Sequence, residues 1–309
     1  MPDNLATVYG VPMAKFVLII IALAVFSAFG FSQNKTDVKD LPKLSPEEII
    51  KKHLVSIGTP EARTQAKSLV LVGNSRLTGK LGFIGQLEGP FQIASTQNKF
   101  LVAMILNSNE YPYEKVAFNG KDQTVGRPNG QLTKLGEFLK ANKFITKNGL
   151  FGGVLSSAWP LLKEKGLKLE FAGTATLGDG RGVYKLKVVG GGLETLSIVL
   201  FFDSETFRHL STSYSYTVPV GISRAVPTGS DMLPQNVNSG AANAQPPRTT
   251  LTERFANFGK VGDLVVPMSY VIDYDYQDGT SSPISIKWEM NIKQAYFNQD
   301  LGDEVFNVS

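Results

Sequence analysis

The chain has 309 residues, 42% of them hydrophobic and 19% charged, with a net charge of +4 and a pI near 9.0. Its Lys and Arg residues are dispersed and form no basic stripe interleaved with aromatics, which speaks against a nucleic-acid partner. It has no cysteine, so disulfides, thiolate chemistry and lipid attachment through a cysteine are excluded.

At the N-terminus, Lys15 precedes the apolar run 16–26, and the small residues Ser27, Ala28 and Gly30 follow. A positive charge, a short apolar stretch and small residues make up a secretory signal peptide over 1–32, with cleavage expected near Gly30 or Ser32 and Met13 as an alternative start. The apolar run is shorter than the ~20 residues a spanning helix needs. Export to a disulfide-free compartment, the periplasm of a Gram-negative envelope, is therefore expected, with an uncleaved N-terminal anchor in the inner membrane as the alternative.

Residues 33–44 read as a polar tether at the start of a mature chain, 33–309, that forms a single domain. Ser45, Pro46 and Glu48 then spell a helix N-terminus: a capping residue, a proline in the first turn and the reciprocal carboxylate of a capping box. Ile50, Leu54 and Ile57 mark its apolar face, with His53 on the inner flank beside Ile49 and Ile50. Gly58 ends it, and Thr59-Pro60 opens a second short helix.

From Ser68 the period changes from 3.6 to 2. Strands are expected at 69–79, 86–96, 100–106 and 113–118, the last closed by Asn119-Gly120. Helical spacing returns over 131–142, followed by an apolar, glycine-broken stretch at 149–162. Further alternation runs through 167–171, 184–188, 196–203, 207–218, 264–276 and 284–292. The pattern predicts a mainly β (α+β) fold of about ten or eleven strands in an antiparallel meander with one covered face, a few helices supplying the cover. Residues 219–249, rich in Ser, Gly, Asn, Ala and Pro, read as a flexible insertion.

Little in the sequence suggests catalysis. His53 and His209 lie on unrelated elements with no cysteine to help them bind zinc, and His53 reads as a packing residue. The run Asp273-Tyr274-Asp275-Tyr276-Gln277-Asp278-Gly279 lacks a glutamate at the twelfth position of a calcium loop, where Ile284 stands, and fits a strand running into a turn. No nucleophile elbow is present, and the glycines at 79, 82 and 85 and at 190–192 open no helix, so they serve hairpins rather than phosphates. No catalytic, metal or cofactor residue is assigned, and no enzyme activity is expected. What remains is apolar surface. Phe91, Phe100, Val102 and Met104 from strands, with Phe151, Leu155 and Trp159 from the glycine-broken stretch, are the candidate cavity and lid for an apolar ligand.

The order of these pieces resembles the LolA/LolB-like family of outer-membrane lipoprotein-sorting proteins. The resemblance is carried by the helix at Ser45–His53, by Gly89, Phe91, Ile93, Lys99 and Phe100, by the turn Ala117–Asp122, by Asp179–Val188 and Phe201–Thr206, and by Gly262–Pro267. It implies a half-open antiparallel barrel with helices in its mouth and an apolar cavity for acyl chains. Where the family's carriers have an Arg-Pro pair governing lid closure, this chain has Gln97-Asn98-Lys99, and the receptor members' lipidated cysteine is missing. The expectation is a non-catalytic periplasmic binding protein for lipid, lipoprotein acyl chains or another amphiphile. The alternative is an envelope sensor or protein-interaction module of the same fold with an envelope protein as partner.

Overall fold

The computed structural model describes residues 41–79, 85–157, 159, 161, 167–217, 247–277 and 283–308. The expected signal peptide and nearly all of the expected insertion lie outside the described residues.

Helix α1 spans Pro46–Ile57, and both halves of its capping box are made: Glu48 N donates to Ser45 Oγ at 3.2 Å and Ser45 N to Glu48 Oε2 at 2.8 Å. Its buried stripe is Ile49, His53 and Ile57, a strict i, i+4, i+8 row, so the expected face is rotated by about one residue and centres on the histidine. Helix α2, Pro60–Gln65, is capped by Thr59. The end of the expected tether is docked: Leu41 and Leu44 pack against the core, and Tyr184 Oη donates to Pro42 O at 3.1 Å.

Among the described residues twelve antiparallel strands form one curved, unclosed sheet: β1 Ser68–Gly79, β2 Gln86–Thr96, β3 Lys99–Ile105, β4 Tyr113–Phe118, β5 Gln123–Val125, β6 Leu169–Thr176, β7 Gly182–Val188, β8 Leu196–Asp203, β9 His209–Thr217, β10 Arg248–Val261, β11 Leu264–Gln277 and β12 Ile284–Phe297. Two of these were not expected from the sequence. Strand β5 has only three residues, too few for a period to show. Strand β10 begins at Arg248, inside the expected insertion, and its inward positions Thr249, Leu251, Glu253 and Phe255 are broken by a charged residue.

The spatial order is β5-β4-β3-β2-β1-β12-β11-β10-β9-β8-β7-β6. The fold is thus two meanders joined through the β1–β12 pair rather than one continuous meander. The first and last strands meet in the middle, which sends β5 and β6 to opposite edges. The connection between those edges, residues 126–168, contains helices α3 (Lys134–Ala141) and α4 (Lys143–Lys147) and a 3-10 turn at Gly153–Leu155. The turn lies against β9 and β11, so the connection covers the inner face of the sheet.

The inner face carries the main core, including Leu71, Ile93, Met104, Leu186, Ile198, Leu200, Ile272 and Met290, each at most 2% exposed. The expectation of a single covered face needs correction. Beyond β12 the chain lays Leu301, Val305 and Val308 on the outer face of β1–β4, and Phe306 is fully buried among Val70, Ala94, Leu101 and Ala117. Lys99 pairs with Asp303 and Val308 N donates to Thr124 Oγ1 at 3.1 Å, fastening this tail. Replacing Phe306 by Ala should cost about 3–5 kcal/mol of stability, the usual price of emptying a buried aromatic site, read as a lowered urea midpoint with an unchanged slope.

Candidate functional site

The candidate site is where the inner face of the sheet meets the stretch 149–161, of which residues 149–157, 159 and 161 are described. All seven expected lining residues come together: Phe91, Phe100, Val102, Met104, Phe151, Leu155 and Trp159 belong to one cluster, and none is more than 6% exposed. Phe100 and Phe151 meet edge to face, with ring centroids 5.9 Å apart. Beside them lies a cavity of about 10 Å³ lined by Phe100, Val116, Phe118, Gly149, Phe151 and Ser156, room for about one water-sized sphere.

The glycines in this cover are contact points. Gly152 has φ +83°, and a Cβ there would come within 2.3 Å of the Phe100 ring. A Cβ on Gly153 would meet Phe255 at 2.7 Å and His209 at 3.0 Å. Only residues without side chains let the main chain sit this deep on the strands.

Polar pins hold the cover. Gly152 N donates to Glu253 Oε1 at 2.7 Å, and Tyr214 Oη donates to Leu150 O at 3.2 Å. Ser157 N donates to Ser95 Oγ at 2.6 Å, and the two hydroxyls are 2.6 Å apart. Ser157 Oγ is also 3.3 Å from Gln97 O, and Trp159 Nε1–H points at His53 Nε2 at 3.4 Å, the longest of these contacts. His53 Nδ1 lies 3.0 Å from Phe207 O, so that nitrogen carries the proton and Nε2 is left to accept.

The two histidines, on elements that looked unrelated, share one aromatic stack. His209 lies parallel to Trp159 at 4.8 Å between centroids, with Phe255 at 4.9 Å, Phe202 at 5.4 Å and His53 at 6.2 Å. His209 Nε2 is 2.9 Å from Thr212 Oγ1, while its Nδ1 has no hydrogen-bond partner. Burial pushes His53 down to about 4, partly opposed by its bond to the Phe207 carbonyl. It also drives His209 well below the usual imidazole range, with His53 adding to the effect. Both are neutral packing groups at physiological pH, and no cluster of metal-binding side chains exists among the described residues.

Sequence reasoning missed two carboxylates. Glu253 is fully buried and accepts from Gly152 N, from Tyr214 Oη at 2.5 Å and from Tyr270 Oη. Burial raises it to about 7 even though all three donors favour the charged form. Glu114, on β4, is likewise fully buried and raised to about 7 by burial. It accepts from Tyr111 Oη and, at 2.7 Å, from Thr133 Oγ1, while the buried Trp288 N–H beside it falls short of hydrogen-bond geometry. Thr133 is the N-cap of α3, donating to Glu114 and accepting from Gly136 N at 3.0 Å. Each carboxylate therefore fastens a different point of the 126–168 connection to the sheet. The available signal was a Glu standing in the inward phase of an otherwise apolar alternation.

No protein-family model matches the sequence, and no curated protein sequence matches it. Among solved structures the chain is similar to a LolA superfamily protein, NE2245 from Nitrosomonas europaea, with 13% identity, 86% of this chain and 98% of that one covered, and a TM-score of 0.44. It is also similar to an outer-membrane lipoprotein-sorting protein domain from Vibrio parahaemolyticus, with 10% identity, coverage of 84% and 95%, and a TM-score of 0.42. A third likeness is to the MucA/MucB complex of Pseudomonas aeruginosa, with 10% identity, coverage of 82% and 100%, and a TM-score of 0.22. Likenesses of this size assign no function.

The buried imidazoles give a direct check. In a pH titration followed by NMR, the Cε1–H signals of both histidines should keep neutral-imidazole shifts down to about pH 5. Because their folded values lie below the ~6.5 of an unfolded chain, their contribution to stability is lost as pH falls from about 6.5 towards 4. A histidine that titrates near 6.5 in the folded protein would break the stack described above.

Proposed function

We propose that this chain is an exported, non-catalytic binding protein for a lipid, a lipoprotein's acyl chains or a similar amphiphile, held between the inner sheet face and the 149–161 cover. The observation that carries the reading is the construction of that cover. Its side chains Leu150, Phe151, Leu155 and Trp159 are apolar and buried, yet among the described residues it is fastened to the sheet and to α1 by hydrogen bonds alone.

Magnitudes favour exchange. Burying ten methylenes of an acyl chain returns about 8 kcal/mol at ~0.8 kcal/mol each. Leaving the groups of any one of the cover's buried hydrogen bonds unmade costs about 1–3 kcal/mol. A guest of that length therefore offsets the opening of about two or three of these bonds, with the others re-formed around it. It would lie with Phe91, Phe100, Val102 and Met104 on one side and Phe151, Leu155 and Trp159 on the other. Both histidines are neutral and engaged in packing, and the two buried glutamates bond to tyrosines, a threonine and a backbone amide, which suits support of the cover better than chemistry.

A second reading, a protein-interaction module, draws on a different observation. The outer face of β7–β10 has an open groove of about 1000 Å³ that includes Lys187, Phe201, Ser213 and Arg248.

Fluorescence titration of the full chain with a dansyl-labelled fatty acid tests the first reading. Saturable one-to-one binding is expected, displaced by unlabelled fatty acid. Trp159→Ala should weaken it about tenfold, the loss of roughly 1.4 kcal/mol of apolar contact. Absence of saturable binding, together with lipid-free protein in native mass spectrometry, would leave the interaction module as the better account.

A further inference from the structure

We propose that Glu253 is a proton-operated latch: protonated, it holds the 149–161 cover shut, and ionised, it favours release of the cover. This deepens the reading above, because it rests on the same cover moving.

The geometry sets the terms. The carboxyl stands on an inward position of β10 between Leu251 and Phe255, both at most 2% exposed, and is itself fully buried. The groups that face it are the Tyr214 hydroxyl from β9, the Tyr270 hydroxyl from β11 and the Gly152 amide from the cover. The nearby His209, also on β9, is neutral and engaged with Thr212. Among the described residues no full positive charge bonds to the carboxyl, and the donors that face its negative charge are neutral. Of the three, only the Gly152 amide is not on a strand. Lifting the cover is thus the motion that exposes the carboxyl while leaving the sheet intact.

The sign follows from linkage. Closed, the group titrates at about 7, and hydrated it returns to the ordinary carboxylate value of 4.5. Between those values the closed form binds more protons, so acid favours closure and rising pH favours opening. For a single site with these two values, the opening equilibrium should grow about 70-fold between pH 5 and pH 8. Glu114 responds in the same sense, but it fastens Thr133 at the start of the connection and reports on a separate stretch.

Hydrogen–deuterium exchange on the full chain, read peptide by peptide and corrected for the intrinsic pH dependence of exchange, tests this without any ligand. Protection over 149–157 should fall by more than tenfold from pH 5 to pH 8, relative to the β11–β12 core. Glu253→Gln should flatten that dependence. Should E253Q fail to fold, Tyr270→Phe serves instead: it removes a donor to the carboxylate, so the midpoint should move to higher pH. Protection over 149–157 that is independent of pH in the wild type would overturn the latch, as would an unchanged slope in E253Q or an unmoved midpoint in Y270F. Exchange that follows the latch while the dansyl fatty acid does not bind would remove the ligand reading and leave the latch standing.

Discussion

The rest of the structure depends on a constraint of topology. The chain begins and ends its sheet in the middle, at the β1–β12 pair, so β5 and β6 are left at opposite edges of a twelve-stranded sheet. A single connection joins them, and in crossing it covers an apolar face that water would otherwise reach. That connection must be apolar where it touches the strands, and it must satisfy its own backbone polar groups on the way. Short helices and 3-10 turns answer the second need locally, and glycines at 152 and 153 answer the first by letting the backbone sit against Phe100 and Phe255.

What the local turns leave unpaired is met by groups that the sheet buries for the purpose. Glu253 reaches the Gly152 amide, Tyr214 reaches the Leu150 carbonyl, and Ser95 receives the Ser157 amide. Burying carboxylates is costly, and the elevated values of Glu253 and Glu114 express that cost. A hydrophobic residue at either position would pack with less penalty, but it would leave the Gly152 amide or the Thr133 hydroxyl without its carboxylate acceptor. The interior is thus a compromise between an apolar surface and the few polar atoms needed to fix a strap across it.

How much of this was legible in the sequence depended on how local the cause is. The α1 capping box needs only residues three apart and was readable from Ser45 and Glu48. Ten strands announced themselves by alternation, which placed Phe91, Phe100, Val102 and Met104 on one face, while Phe151, Leu155 and Trp159 were read from an apolar stretch broken by glycine; all seven share one buried cluster. Strand β10 stayed hidden because Glu253 occupies an apolar phase, and that same departure marks the most informative residue of the site. The stacking of His209 on Trp159, with His53 beyond, depends on where β9, α1 and the cover are carried by the whole topology. No spacing in the sequence encodes it. The burial of Phe306 on the outer face is similarly non-local, set by a tail that turns back after the last strand.

The central claim is that the cover must lift for an amphiphile to enter, and a chain without cysteines lends itself to a direct test. Ser95 and Ser157 face each other with their hydroxyls 2.6 Å apart, so cysteine sulfurs placed there would have to draw together to about 2.05 Å to bond. The double variant Ser95→Cys, Ser157→Cys can therefore be locked by oxidation and freed by reduction in the same sample. The account predicts that the oxidised protein fails to bind a dansyl-labelled fatty acid and that reduction restores binding. Equal affinity in both states would contradict it.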